Sequence, residues 1–195
     1  MTSVRMAGQG SGWEAGAVPC PGVHLTRPGT TCHDAPVDED DLDFAVAAWR
    51  EEGRWQVSSL QPRVLESLDR LTEALQHLPG EGGTLGLISV AEEFFLVVRV
   101  QGETRRVFLS DLACAYEWDL AEAAAEAIGI DLADEEDEVD ELEPVGDFAI
   151  VADFGMPAEE LEVLCEDPDL YPEDQISAIA ARLGFADALD AELGE

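Results

Sequence analysis

Residues Phe94–Val100 read Phe-Phe-Leu-Val-Val-Arg-Val, apolar at every position except Arg99. Successive strand residues point to opposite faces of a sheet, so an apolar run without alternation marks a central strand buried on both sides. Any fold for this chain has to be built around that strand. Thr84–Val90 reads as the strand before it, and Gln101-Gly102-Glu103 turns the chain back into Arg105–Ser110. Upstream, Leu42, Phe44 and Val46 alternate with Asp43 and Ala45 over Leu42–Trp49. Glu51-Glu52-Gly53-Arg54 then supplies a turn and Trp55–Leu60 returns as the second arm of a hairpin.

Helices separate these strands. Val64, Leu68, Leu71, Leu75 and Leu78 recur at alternate spacings of four and three, which predicts a helix starting at Pro62 and ending at Pro79-Gly80. A second helix is predicted after Trp118. Asp119 with Glu122 reads as a capping box, Gly129 as the C-terminal cap, and Leu120, Ala123, Ala124, Ala127 and Ile128 as the apolar face. The order strand, strand, helix, strand, strand, strand, helix predicts an α+β fold. It is a mainly antiparallel sheet of about five or six strands with helices on one face. Profilin-like and roadblock-like folds share that order, which is an analogy of topology alone.

Charge divides the chain differently. It carries 44 acids against 10 arginines, a formal charge of −34, and contains no lysine. Without a lysine amine there is no Walker-type phosphate loop, kinase or pyridoxal-phosphate Schiff base. Phosphate backbones and anionic lipid repel such a chain, and its arginines form no basic patch, so neither nucleic acid nor membrane is expected as a direct partner. Residues 131–195 hold twenty-three acids against Arg182 alone, net −22, so about two-thirds of the charge lies in the last third. The domain reading follows. Residues 1–40 are a disordered tail rich in Gly, Pro, Ser and Thr taken together, and residues 41–130 the sheet domain. Residues 131–146 are an acidic connector, and residues 147–195 a strand plus a helical acidic block. In that block, Phe148-Ala149-Ile150-Val151 marks the strand within Asp147–Phe154. Pro157 and Pro172 each open a helix whose first turn is acidic, and Gly184 caps the second. No apolar run approaches the roughly 18 residues of a membrane span and no signal peptide opens the chain, so the expected location is cytoplasmic.

Chemistry-bearing residues are sparse. Cys20, His24, Cys32 and His33 are zinc-ligand types in a spacing that fits no common finger or ribbon, and Gly8-Gln9-Gly10-Ser11-Gly12 follows no strand. The acidic run Asp131–Glu143 lacks the spacing of an EF-hand loop. His77 falls in the last turn of a helix, where its common role is to face the helix dipole. Cys114 and Cys165 sit among apolar neighbours as core residues. No catalytic, cofactor-binding or metal-binding residue is assigned.

Phe154-Gly155-Met156-Pro157-Ala158, Leu164-Cys165-Glu166-Asp167, Asp169-Leu170-Tyr171-Pro172-Glu173 and Ile179-Ala180-Ala181-Arg182-Leu183-Gly184-Phe185 resemble the C-terminal block of a bacterial family of tRNA adenosine deaminase-associated proteins. Asp43–Asp111 is similar to that family as well, so the resemblance spans roughly residues 42–190. It implies a non-catalytic accessory or regulatory protein of tRNA wobble adenosine-to-inosine editing, with a tRNA adenosine deaminase as partner. The chain is not the deaminase itself, which needs H-x-E and P-C-x-x-C. His24, His33 and His77 are followed two residues on by Thr26, Ala35 and Pro79, and Cys20 has no second cysteine three residues later.

A tRNA-binding enzyme presents basic surface, and an acidic block is complementary to it. The expected partner-binding residues are Glu159, Glu160, Asp167, Asp169, Tyr171, Glu173 and Asp174. The competing reading is a small-ligand or regulatory α+β module in which Trp49, Trp55 and Trp118 line a pocket. An enzyme would instead show converging carboxylates in a cleft with Arg99 or Arg105.

Overall fold

The computed structural model describes residues 41–132, 142–167 and 169–194. The expectations for the tail, with Cys20, His24, Cys32 and His33, and for most of the acidic connector lie outside the described residues. The first hairpin forms as the alternation predicts. β1 (Leu42–Glu51) pairs antiparallel with β2 (Arg54–Ser59), Glu51 standing opposite Arg54. The turn is thus the dipeptide Glu52-Gly53, at φ +52 and +75. Positive φ at both positions is the type I′ geometry that matches strand twist, reached freely by Gly53 and at some cost by Glu52.

On the other side of β1 lies β3 (Thr84–Val90), followed by β4 (Phe94–Gln101) and β5 (Thr104–Leu109). A short β6 (Val145–Gly146) completes an antiparallel sheet in the order β2-β1-β3-β4-β5-β6. β3 and β4 are therefore central. Every residue of β3 is buried, and every residue of β4 except Gln101, as the unbroken apolar run requires.

α1 (Leu68–Gln76) starts later than the proline suggests. Pro62–Val64 makes only a 3-10 turn. Ser67 then takes extended backbone and its hydroxyl accepts the Arg70 N–H at 3.3 Å, which fixes the helix start. The leucine stripe is as expected, with Leu68, Leu71 and Leu75 buried. Gly86 admits it closely, since a Cβ there would lie 3.0 Å from Leu75 Cδ1. In α2 (Asp119–Ile128) the N-cap is Trp118, with no side-chain cap bond. Asp119 and Glu122 thus form no capping box; they lie in the first turn, where the helix dipole favours them. Gly129 ends α2 at φ +96 as expected.

α1 and α2 cover one face of the sheet, over a core that includes Leu71, Leu75, Phe94, Leu96, Val98 and Leu120. The expectation of helices on one face describes these two alone. α3 (Ala158–Cys165), α4 (Pro172–Leu183) and α5 (Ala186–Leu193) cover the opposite face. There Leu87, Phe95, Val97 and Phe108 meet Met156, Leu161, Ile176, Ile179 and Phe185. Full burial of each such side chain contributes about 1.5–3 kcal/mol, so the acidic block is held on the sheet by its apolar side.

The strand expected over Asp147–Phe154 does not form. Pairing with β5 ends at Gly146, at φ +108, where a Cβ would meet Val107 O at 2.5 Å. Asp147 then accepts the Ala149 N–H on its own carboxylate at 3.1 Å, an Asx turn that bends the chain. Ile150 and Val151 both enter the second core, and a 3-10 turn follows at Ala152–Phe154.

Candidate interaction surface

Two arginines set the position of the acidic block. Arg99 is the one polar residue of the β4 run and points toward the C-terminal helices, 2% exposed. Its guanidinium makes a two-bond fork to the Asp153 carboxylate, donates to Ile150 O at 2.8 Å and to Gly82 O, and lies 4.2 Å from the Phe154 ring centroid. Arg106 on β5 pairs with Asp147. Each arginine holds its partner's carboxyl below the usual range, chiefly through the hydrogen bond. Trp55 of β2 adds a third attachment, donating from Nε1 to Leu183 O at 3.0 Å between the rings of Phe154 and Phe185.

The block held in this way turns its acids outward. In α3, Leu161 and Cys165 are buried against the sheet, while Glu159, Glu162 and Glu166 are exposed. Glu160 differs from the other candidates: its Oε1 accepts from Arg182 Nε at 2.7 Å, so part of its charge is compensated within the block. Asp167 accepts the Asp169 N–H at 3.1 Å, shaping the turn before α4. Tyr171 is the N-cap residue of α4 and is 57% exposed, and Glu173 and Asp174 are exposed in the first turn. All seven candidate residues lie on α3, on α4 or in the turn between them.

Four residues beside the candidates were not among those the sequence offered: the exposed Glu162 and Glu166, and Val163 and Asp43. Val163, 67% exposed, sits on the outer side of α3 between Glu162 and Glu166. Its signal was available, because it is two residues from both Leu161 and Cys165 and so points away from the buried stripe. Asp43 had no such signal. It lies with Phe44, Glu173, Asp174, Ser177 and Leu193 around a groove of about 330 Å³, brought there by the packing of α4 on β3 and of α5 on β2, the two strands that flank β1. Its Oδ2 accepts from Ser89 Oγ and Glu92 N–H, both at 2.9 Å.

The groups named for other chemistries are occupied structurally. Arg99 is clamped as above, and Arg105 reaches Asp69 at 2.9 Å on the surface. The tryptophans do not converge. Trp55 packs on the C-terminal helices, whereas Trp49 and Trp118 pack on the α1 and α2 side, Trp118 bonding Glu93 at 2.9 Å. His77 Nδ1 lies 2.6 Å from Glu73 O at the end of α1. Cys114 and Cys165 are free, and burial pushes both thiols up to about 12. A larger hollow of about 510 Å³ is lined by Tyr116, Glu122, Glu126, Gly129, Ile130, Asp131 and Leu132. Among the described residues no group of three or more His, Cys, Asp or Glu is placed to hold a metal ion, and no helix is long and apolar enough to cross a membrane.

Comparison with known proteins agrees with the resemblance. No solved structure gives a significant match. Protein Rv3753c of Mycobacterium tuberculosis (strain ATCC 25618 / H37Rv) is 36% identical over 157 residues, covering 80% of this chain and 90% of the relative. The model of the Rv3753c-like tRNA adenosine deaminase-associated protein family matches residues 43–186, from the start of β1 to the start of α5. The chain therefore belongs to the Rv3753c-like tRNA adenosine deaminase-associated protein family.

Proposed function

We propose that this protein is a non-catalytic accessory or regulatory partner of a tRNA adenosine deaminase, docking on a basic surface of that enzyme through the acidic outer face of its C-terminal block. The family name supplies the association. The observation that carries the docking reading is the outer face of α3 and α4. There Glu159, Glu162, Glu166, Asp167, Asp169 and Asp174 are exposed, and so are two apolar side chains of the same helices and the turn between them, Val163 and Tyr171. Carboxylates steer a basic partner and select it, while a large apolar or aromatic side chain at the centre of a patch supplies the contact energy. The same charge that draws a basic protein repels tRNA, so contact with the nucleic acid is assigned to the enzyme.

Co-purification with the deaminase of the same organism tests the reading. A complex at ~50 mM salt that weakens as salt rises is the expected result, since screening removes steering between exposed charges. Absence of a complex at ~50 mM salt, where such attraction is strongest, refutes it.

A further inference from the structure

The two edges of the sheet differ. β6 is two residues long. β2 is six residues long, contains no proline and pairs with β1 without a bulge. Its hydrogen-bonding directions follow from the register. The two-residue turn makes Glu51 and Arg54 a bonded pair, and Leu60 N–H donates to Ala45 O at 2.8 Å. Arg54, Gln56 and Ser58 therefore direct their main-chain groups to β1, and Trp55, Val57 and Ser59 direct theirs away from the sheet. Ser59 N–H does point outward, donating to Glu192 Oε1 of α5 at 2.7 Å. Trp55 and Val57 have no outward main-chain bond among the described residues. Edge strands are ordinarily blunted by proline, bulges or charge, and here Arg54 charges the first position and one carboxylate covers one N–H, which leaves Trp55 and Val57 uncovered among the described residues.

We propose that the β2 edge receives an extended segment of the basic partner, which adds a strand to the sheet beside Trp55 and Val57. This inference rests on the proposed function and gives that partner a second point of attachment. Charge selects the occupant. α5 packs beside β2 and carries exposed Asp187, Asp190 and Glu192, and the hairpin tip carries exposed Glu51 and Glu52 against one exposed cation, Arg54, so the edge is acidic on balance. A second copy paired along this edge would set those carboxylates against their own kind, on two chains each of charge −34. Lysine or arginine side chains on the α5-facing side of an added strand meet them instead, with their aliphatic stems along half-buried Trp55 and Val57.

The test uses the full-length protein and the full-length tRNA adenosine deaminase of the same organism, with amide exchange followed by residue. In the complex the Trp55 and Val57 amides should exchange at least about tenfold more slowly. Val57→Pro removes an outward N–H and no ladder bond, and should weaken binding at least about tenfold. Val57→Thr keeps the N–H and should bind as the parent does. A complex that forms while both amides exchange as in the free protein, or a folded Val57→Pro variant of undiminished affinity, overturns the strand-addition inference and leaves acidic-face docking standing. No complex at all overturns both. Slowing of these amides in the protein alone at raised concentration makes a second copy the occupant and also overturns the proposal. If Val57→Pro does not fold, amide exchange in the parent complex decides.

Discussion

Replacing Asp153 by asparagine isolates the clamp that seats the acidic block on the sheet. Arg99 is 2% exposed and reaches Asp153 through two parallel bonds, with Ile150 O and Gly82 O as its remaining acceptors. Asparagine keeps the shape and one acceptor oxygen but leaves a buried guanidinium without a counter-charge. Removing one partner of a fully buried pair costs about 3–5 kcal/mol. Asp153 stands at the rim with its side chain 59% exposed, so solvent screening brings the expected loss to about 1–3 kcal/mol. Asp69→Asn, which strips Arg105 of a partner whose side chain is 91% exposed and takes one acid from the first turn of α1, should cost less than about 1 kcal/mol. Urea unfolding followed by tryptophan fluorescence reads both variants, because Trp55 packs between Phe154 and Phe185. The sign with pH is fixed as well. The folded carboxyl of Asp153 titrates below its unfolded value of about 3.9, so the clamp contributes fully above that value and is lost as pH falls through the lower folded one. The gap between parent and Asp153→Asn should therefore be constant from about pH 5 to 8 and close below about pH 4. An Asp153→Asn midpoint equal to that of Asp69→Asn would refute the clamp.

Other substitutions probe separate links. Val163→Asp and Tyr171→Ala change exposed positions, so melting temperatures should stay within the shift expected of about 0.5 kcal/mol while capture of the deaminase falls. Gly86→Val places a side chain against Leu75 and should cost about 1–3 kcal/mol in urea unfolding. Glu52→Asn suits the left-handed turn position better than glutamate and should raise stability by up to about 1 kcal/mol by the same assay. Cys114 and Cys165, with thiols pushed up to about 12, should resist iodoacetamide at pH 8 in the folded protein and react on unfolding, as peptide mass spectrometry would show.

What could be read in advance depended on how local each signal was. Phe94–Val100 announced its own two-sided burial, the leucines of α1 their shared face, and Gly129 and Gly184 their helix ends, because each pattern is carried within one element. The run Phe148–Val151 misled for the same reason. Four apolar residues suit a strand or any buried turn, and the choice was made by the Asp147 side chain bonding its own backbone. Placement of the acidic block was not local at all. Burial on both sides of β4 demanded a second covering layer, yet the pairings that name the segment that supplies it, Arg99–Asp153, Arg106–Asp147 and Trp55–Leu183, join residues far apart in the chain. The acids of α3 and α4 were legible as surface, whereas Asp43 joined Glu173 and Asp174 through packing alone.

Binding to the deaminase, measured as Kd against salt for the parent and for a Glu159→Gln, Asp167→Asn, Asp169→Asn, Asp174→Asn variant, bears most directly on the central claim. These four side chains are exposed, so the variant should fold as the parent does. The account predicts that the parent binds at ~50 mM salt and loses at least about tenfold in affinity by ~500 mM, and that the variant binds more weakly with a flatter salt dependence. Equal affinity and equal salt slope for parent and variant would contradict it.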